Sequence, residues 1–189
     1  MTFETIIIKQ TPISYSIANS TGRCLRLEVK DGRVYLFKPR WVSKARAQKF
    51  LESKRAWLER NLAKERKQIP LYPLAKPELP IFKKEIINRL NYFNQVYNFN
   101  WERVSIRQQT TRWGSCSPKG TLSFNSRLAG LPLELQDYII VHELCHLKVP
   151  NHSPKFWKVV EKTLPDYLVR RRALRQYRLA VKVDNSNVL

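Results

Sequence analysis

The chain has 189 residues, is 43% hydrophobic and carries a formal net charge of +20, which is length and apolar content for one larger domain or a small domain beside a medium one. Its three cysteines, Cys24, Cys116 and Cys145, are widely spaced and odd in number, which excludes a disulfide framework; no basic leader precedes a long apolar run and no window approaches the ~18 apolar residues of a membrane span, so a cytoplasmic setting is expected. The charge is even along the chain, with 17 Lys/Arg against 7 Asp/Glu in residues 1–79 and 18 against 8 in residues 80–189; it attracts anions in general and leaves nucleic acid, nucleotides, acidic proteins and anionic membranes open as partners.

Residues 2–40 read as β structure. Residues 2–8 and 13–18 are short β-prone runs joined through Pro12. Residues 25–30 alternate apolar and polar, Asp31-Gly32 is a preferred two-residue turn, and 33–37 is again β-prone, which predicts a hairpin in a small antiparallel sheet. Ser43 suits the N-cap of one long helix reaching about Lys67, with Phe50, Leu51, Trp57, Leu58 and Leu62 as its apolar stripe and Lys/Arg over the rest. Residues 68–80 hold Pro70, Pro73, Pro77 and Pro80, which oppose a helix or a central strand. They are expected to form an extended linker between an N-terminal region of residues 1–67 and a core of residues 81–180, with 181–189 a frayed tail.

In the core, residues 81–97 predict a helix with Ile86, Leu90, Phe93 and Tyr97 along one side. Residues 102–109 and 121–127 predict strands, with the turn-rich stretch 112–120 between them. Pro132 suits the first turn of a helix running to about Lys148, which Pro150 stops. Ser153-Pro154 opens a helix carrying Phe156, Trp157 and Val160. Pro165-Asp166 opens a last helix carrying Arg170, Arg171, Arg172, Arg175 and Arg178.

All three histidines of the chain fall within eleven residues, as His142-Glu143-Leu144-Cys145-His146 and then His152. On a helix, positions i and i+4 lie one above the other, so His142 and His146 can grip one ion from the same face, while Glu143 sits about 100° round from His142. H-E-x-x-H with a third ligand farther on is the donor set of a hydrolytic zinc site, with Glu143 as the general base that takes a proton from water. His152 and Glu161 are the two candidates for the third ligand; imidazole is the commoner choice. Three protein ligands leave an open position, as catalytic sites do. Cys145 points about 100° away from the two histidines and reads as a core residue. The five-residue gap before His152 equals metzincin spacing, but that pattern needs Gly where this chain has Val149 and a later Met where its only methionine is Met1.

The runs Arg112-Trp113-Gly114-Ser115-Cys116, Leu122-Ser123-Phe124-Asn125, the H-E-x-x-H stretch, residues 151–157 (N-H-S-P-K-F-W) and Leu164-Pro165-Asp166-Tyr167 resemble the YgjP-like metallopeptidase family, which is related to SprT-like and minimal gluzincin-type peptidases. The resemblance implies an α+β fold whose core is a compact zincin: a short antiparallel sheet beside the active-site helix, zinc held by His142, His146 and His152, and Glu143 as base. It also implies that Trp113 and Asn125 lie close to the cleft, either in substrate contact or as structural supports.

The expected function is a zinc-dependent hydrolase, a metallopeptidase first, with another divalent metal as the alternative ion. A metal-dependent nucleotide pyrophosphohydrolase is the alternative reaction, since the basic surface near the site includes Lys148, Lys155 and Lys158. A DNA-associated protein with a structural metal is the third reading, for which phosphate contacts would give steep salt dependence.

Overall fold

The structure is a computed structural model that describes residues 3–8 and 11–180, so Thr2 and the expected frayed tail 181–189 lie outside the described residues. The chain divides into two compact units, residues 1–68 and 69–189, and its architecture is mixed α+β with several small sheets.

In the first unit, β1 (Glu4–Ile8), β2 (Thr11–Ser20), β3 (Arg26–Lys30) and β4 (Arg33–Pro39) form a sheet of order β1-β2-β4-β3. The β3–β4 hairpin turns at Asp31 and Gly32, both with positive φ (52° and 72°), as its two-residue loop requires. The Glu65 carboxylate accepts both turn N–H groups, at 2.7 and 2.8 Å. The sheet is mixed rather than antiparallel, because β2 and β4 run parallel. Residues 21–25 carry the chain past the place β4 takes, and the tight turn then folds β4 back between β3 and β2.

The single long helix expected over 43–67 is two helices, α1 (Lys44–Ser53) and α2 (Arg55–Lys67). Ser43 caps α1, its side chain accepting the Arg46 N–H at 3.3 Å. At the break, the Ser53 hydroxyl donates back to the Phe50 carbonyl at 2.7 Å, a local bond that competes with the helical ladder. Lys54 adopts φ −100° and ψ 14°. Leu51 of α1 and Leu58 and Leu62 of α2 are buried in one cluster with Val34 and Leu36 of β4.

In the second unit the proline-rich stretch begins as a strand, β5 (Ile69–Leu71), which pairs with a C-terminal strand, β9 (Tyr177–Leu179), in parallel. The last helix, α6 (Tyr167–Leu174), is therefore shorter than expected: Arg175 follows it and Arg178 lies in β9. The helix α3 (Leu79–Tyr97) ends at Asn98, whose left-handed φ of 52° serves as its C-terminal stop. The strands β6 (Arg103–Arg107), β7 (Gly114–Cys116) and β8 (Thr121–Asn125) form a sheet of order β6-β8-β7. It too is mixed: β6 and β8 are parallel, and only β7 and β8 are antiparallel. The stretch read as turns thus contains a strand, short and without an apolar alternation to announce it. After β8 come α4 (Leu133–Cys145) and α5 (Pro154–Glu161). Pro132 precedes α4 as its N-cap, and the helix ends at Cys145 with His146 as C-cap, before the expected Lys148.

Ile86 and Leu90 of α3, Leu122 and Phe124 of β8, Ile140 and Leu144 of α4 and Phe156 of α5 form one buried cluster. Arg89 of α3 and Asp137 of α4 form a two-bond ion pair across that packing. Among the described residues no helix is long and apolar enough to cross a membrane.

Candidate metal centre and active site

Two of the three histidines are presented by the last turn of α4 and its cap. The third follows the tight turn closed by Lys148 N–H and Val149 N–H on the Cys145 carbonyl, at 3.1 and 3.0 Å. His142 Nε2 lies 3.2 Å from His146 Nε2 and 3.0 Å from His152 Nε2. A tetrahedral zinc with Zn–N bonds of about 2.05 Å would set such nitrogens ~3.3 Å apart. Imidazole nitrogens this close repel through their lone pairs unless a cation or shared protons sit among them, and all three lie within 4.8 Å of one another, so the donor set fits a divalent metal. The His146 Nδ1 lies 3.0 Å from the Val149 carbonyl. A proton there leaves Nε2 as the free lone pair, the usual way a ligand ring is fixed. Burial, and then the neighbouring His146 and His152, push His142 down to about 3, which keeps it in the neutral form that ligates.

The rings are held by aromatic packing. Phe156, fully buried at the start of α5, stacks on His146 with centroids 4.4 Å apart and meets His142 and His152 at 4.9 Å each. Trp157 stacks on His152 at 5.6 Å and donates its Nε1–H to the His152 carbonyl at 3.1 Å. Tyr167 stacks on the other ring system of this ladder, 5.2 Å from Trp157, and the Arg171 guanidinium sits 4.8 Å from the Trp157 ring centre. The bulky residues following Pro154 are therefore the wall behind the three histidines as well as the apolar stripe of α5.

Glu143 is buried, only 6% exposed, and burial pushes its carboxyl up to about 8, with the Arg112 cation opposing the shift. It packs against Gly114 of β7. A cavity of about 510 Å³ lies between β7 on one side and the three histidines and Glu143 on the other. β7 is an edge strand. The Trp113 carbonyl accepts from Asn125 N–H at 2.8 Å and Ser117 N–H donates to the Thr121 carbonyl at 3.0 Å. In an antiparallel ladder, alternate residues direct both backbone groups at the neighbour. Trp113, Ser115 and Ser117 therefore face β8, and Gly114 and Cys116 turn their N–H and C=O groups to the open edge.

Residues 80–177 match the family described as YgjP-like, metallopeptidase domain, a stretch that contains β6 to β8, the three histidines, Glu143 and α5. The chain belongs to the YgjP-like metallopeptidase family. One solved structure, that of the metallopeptidase zymogen of Pyrococcus abyssi abylysin, aligns at 28% identity over 51% of this chain and 99% of that one, with a TM-score of 0.45. No curated protein matches the chain. Membership in the YgjP-like family makes the second unit a peptidase-like, metal-dependent hydrolase domain, and its three histidines form a group able to hold a divalent ion.

Within this YgjP-like domain the residues singled out from sequence fall in different places. His142, His146, His152 and Glu143 converge on one cavity. Glu161 is exposed at the end of α5 and is not part of the histidine cluster. Trp113 is half-buried and lines a second, smaller cavity beside His142 and Glu143. Asn125 is buried behind the cleft: its Nδ2 donates to the Gln109 and Arg112 carbonyls at 2.6 and 3.0 Å, and its Oδ1 accepts from the Arg127 backbone N–H at 3.2 Å. It fixes the loop that brings Arg112 to the site. Cys145 is fully buried in the core, where burial pushes its thiol up to about 12. Sequence reasoning missed Phe156 and Trp157 as supports of the histidine rings and Gly114 as the seat of Glu143. The signal for the first was present, since aromatic residues four and five positions past His152 lie one helical turn from it once Pro154 starts α5.

Proposed function

We propose that the chain is a zinc-dependent metallopeptidase in which His142, His146 and His152 hold the metal and Glu143 is the general base. One observation carries the reading: three imidazole nitrogens converge at 3.0 and 3.2 Å beside a buried carboxylate, in a cleft walled by an edge strand. Zinc, when bound, would act as a Lewis acid on the scissile carbonyl and lower the pKa of water at the site.

The chain's own residues do the rest. The outward backbone groups of Gly114 and Cys116 accept an extended peptide as an added strand, which fixes the direction of the substrate. Glu143 takes the proton of the attacking water and returns it to the leaving amine. A carboxyl raised by burial suits a group that must both take and give a proton near neutral pH. Arg112, and a cation when held by the three histidines, would favour the ionised carboxylate that starts the cycle.

The test is Glu143→Gln in the full chain loaded with zinc. Peptide cleavage should fall by about 10²–10⁴-fold, the usual weight of general acid–base catalysis, with zinc bound at the same stoichiometry as in the unaltered protein. Cleavage at an undiminished rate removes Glu143 from the mechanism. Hydrolysis of nucleoside triphosphates with no peptide cut by the unaltered protein replaces the peptidase reading with phosphoanhydride chemistry.

A further inference from the structure

A second cavity, of about 250 Å³, adjoins the main cleft. Both cavities are lined by Arg112, Gly114, His142 and Glu143. Past that shared border the smaller one is walled by Trp113 ahead of β7, by Tyr138 and Ile139 of α4 and by Leu174 at the end of α6. We infer that this cavity is a side-chain pocket of the substrate site and takes an apolar residue of leucine or phenylalanine size next to the bond that is cut. The inference rests on the peptidase reading of the main cleft and names the substrate class for it.

Size and chemistry agree. A cavity of roughly 150 Å³ lined by apolar side chains accommodates a benzene-sized ring, so 250 Å³ admits a phenylalanine ring or a leucine with room to enter. Beyond the border the wall is an indole, a phenol, and the methyl groups of isoleucine and leucine. None of those four side chains carries a charge at neutral pH. Arg112 and Glu143 both stand at the mouth and face one another with opposite charge, so neither sign of side chain is favoured there. Past them a charged side chain would lose its hydration with no counter-ion in the apolar wall, which is costly. An apolar side chain loses nothing of that kind and removes its own surface from water. Position does the rest: a side chain seated between Trp113 and Leu174 leaves its backbone at the Gly114 border, beside His142 and Glu143.

Leu174 is the residue to alter, because it is only half-buried and holds no metal-binding or proton-transfer role. In the full chain with labelled Leu and Ile methyl groups, N-acetyl-leucinamide and N-acetyl-phenylalaninamide should shift the Leu174 and Ile139 signals. They should bind at least about ten-fold more tightly than N-acetyl-lysinamide or N-acetyl-aspartamide, in line with the discrimination apolar pockets achieve. Leu174→Phe should cost the phenylalanine probe its binding and leave N-acetyl-alaninamide unaffected, whereas Leu174→Ala should retain both large probes. With zinc-loaded protein and a peptide mixture, cleavage sites read by mass spectrometry should show one flanking position rich in Leu and Phe, moving to Ala and Val in Leu174→Phe.

Apolar probes that leave both methyl signals in place, or a cleavage profile that Leu174→Phe does not move, overturn the pocket. Cleavage without side-chain preference overturns the pocket and keeps the peptidase. Selective methyl shifts with no peptide cut keep the ligand class and overturn the peptidase.

Discussion

A Cβ placed on Gly114 would lie 2.7 Å from both Cγ and Oε1 of Glu143 and 2.9 Å from its Cδ. Those distances are below any ordinary carbon contact, so β7 passes the Glu143 carboxylate at a separation only glycine permits. Glu143 is nearly buried but borders both cavities, so its side chain is the part that must give way. Gly114→Ala should therefore displace the carboxylate while leaving the three histidines alone. Misplacement of a reacting group by about 1 Å costs on the order of 10²-fold in rate. The expected result is a fall in kcat of that order with zinc affinity unchanged, checked by steady-state kinetics beside a competitive chelator titration. Unchanged kcat would mean that β7 simply shifts to accommodate the methyl group.

Phe156 touches all three histidine rings from a fully buried position. Phe156→Ala should cost about 3–5 kcal/mol of stability, as large-to-small changes of a buried Phe do. It should also weaken zinc binding by about 10–100-fold, the weight of outer supports at metal sites. Phe156→Leu should recover most of both. Denaturant unfolding of the metal-free protein measures the first effect and chelator competition the second. Loss of stability with full zinc affinity would show that the rings hold their places without this wall.

What was legible in the sequence follows how local each signal is. H-E-x-x-H is written in the 3.6-residue period of one helix, and His152 in a turn forced by Pro150, so the four chemical residues are close in sequence as well as in space. The β3–β4 hairpin was equally plain because Asp31-Gly32 specifies its own backbone. Strand direction was not legible: the parallel pairs β2–β4, β6–β8 and β5–β9 join residues far apart in sequence, and period-two patterning is the same for either direction. The break at Lys54 was hidden because Leu51, Leu58 and Leu62 keep a helical stripe through it. β7 was hidden because Gly114-Ser115-Cys116 has no β propensity of its own; it is a strand because β8 pairs with it and Glu143 needs its glycine. Asn125 illustrates the opposite limit. In its run it reads equally as a substrate contact or a structural support, and only the structure shows that its hydrogen bonds hold the Gln109–Arg112 loop.

The third-ligand alternatives separate cleanly by mutation. His152 Nε2 is 3.0 Å from His142 Nε2, and Glu161 is exposed outside the cluster. His152→Ala should weaken zinc binding by more than the about 10–100-fold expected for loss of an outer support and remove hydrolysis. Glu161→Gln should change neither. Metal stoichiometry by atomic emission and affinity by chelator competition decide it; a metal-free Glu161→Gln protein would transfer the ligand role to α5.

The first unit should respond to acid through Glu4. Its carboxylate accepts the Tyr15 hydroxyl at 2.6 Å and pairs with Lys44 at the start of α1. The Lys44 hydrogen bond, and then the Tyr15 hydroxyl, hold Glu4 below its ordinary value of 4.5. A carboxyl depressed on folding stabilises the folded state above its unfolded pKa, and that contribution fades as pH falls through the folded pKa. Protection of the β1 and β2 amides should thus be level at pH 6–7, which is above the carboxylate range, and decline progressively below 4.5. Glu4→Gln should lower the plateau slightly and remove most of the decline at these strands. Glu4 and Lys44 are both substantially exposed to solvent, which makes the effect sensitive to salt, so raising ionic strength should flatten the same curve. Hydrogen exchange of the two proteins across that range reads both outcomes, and an identical acid decline in Glu4→Gln would assign the acid sensitivity to another group.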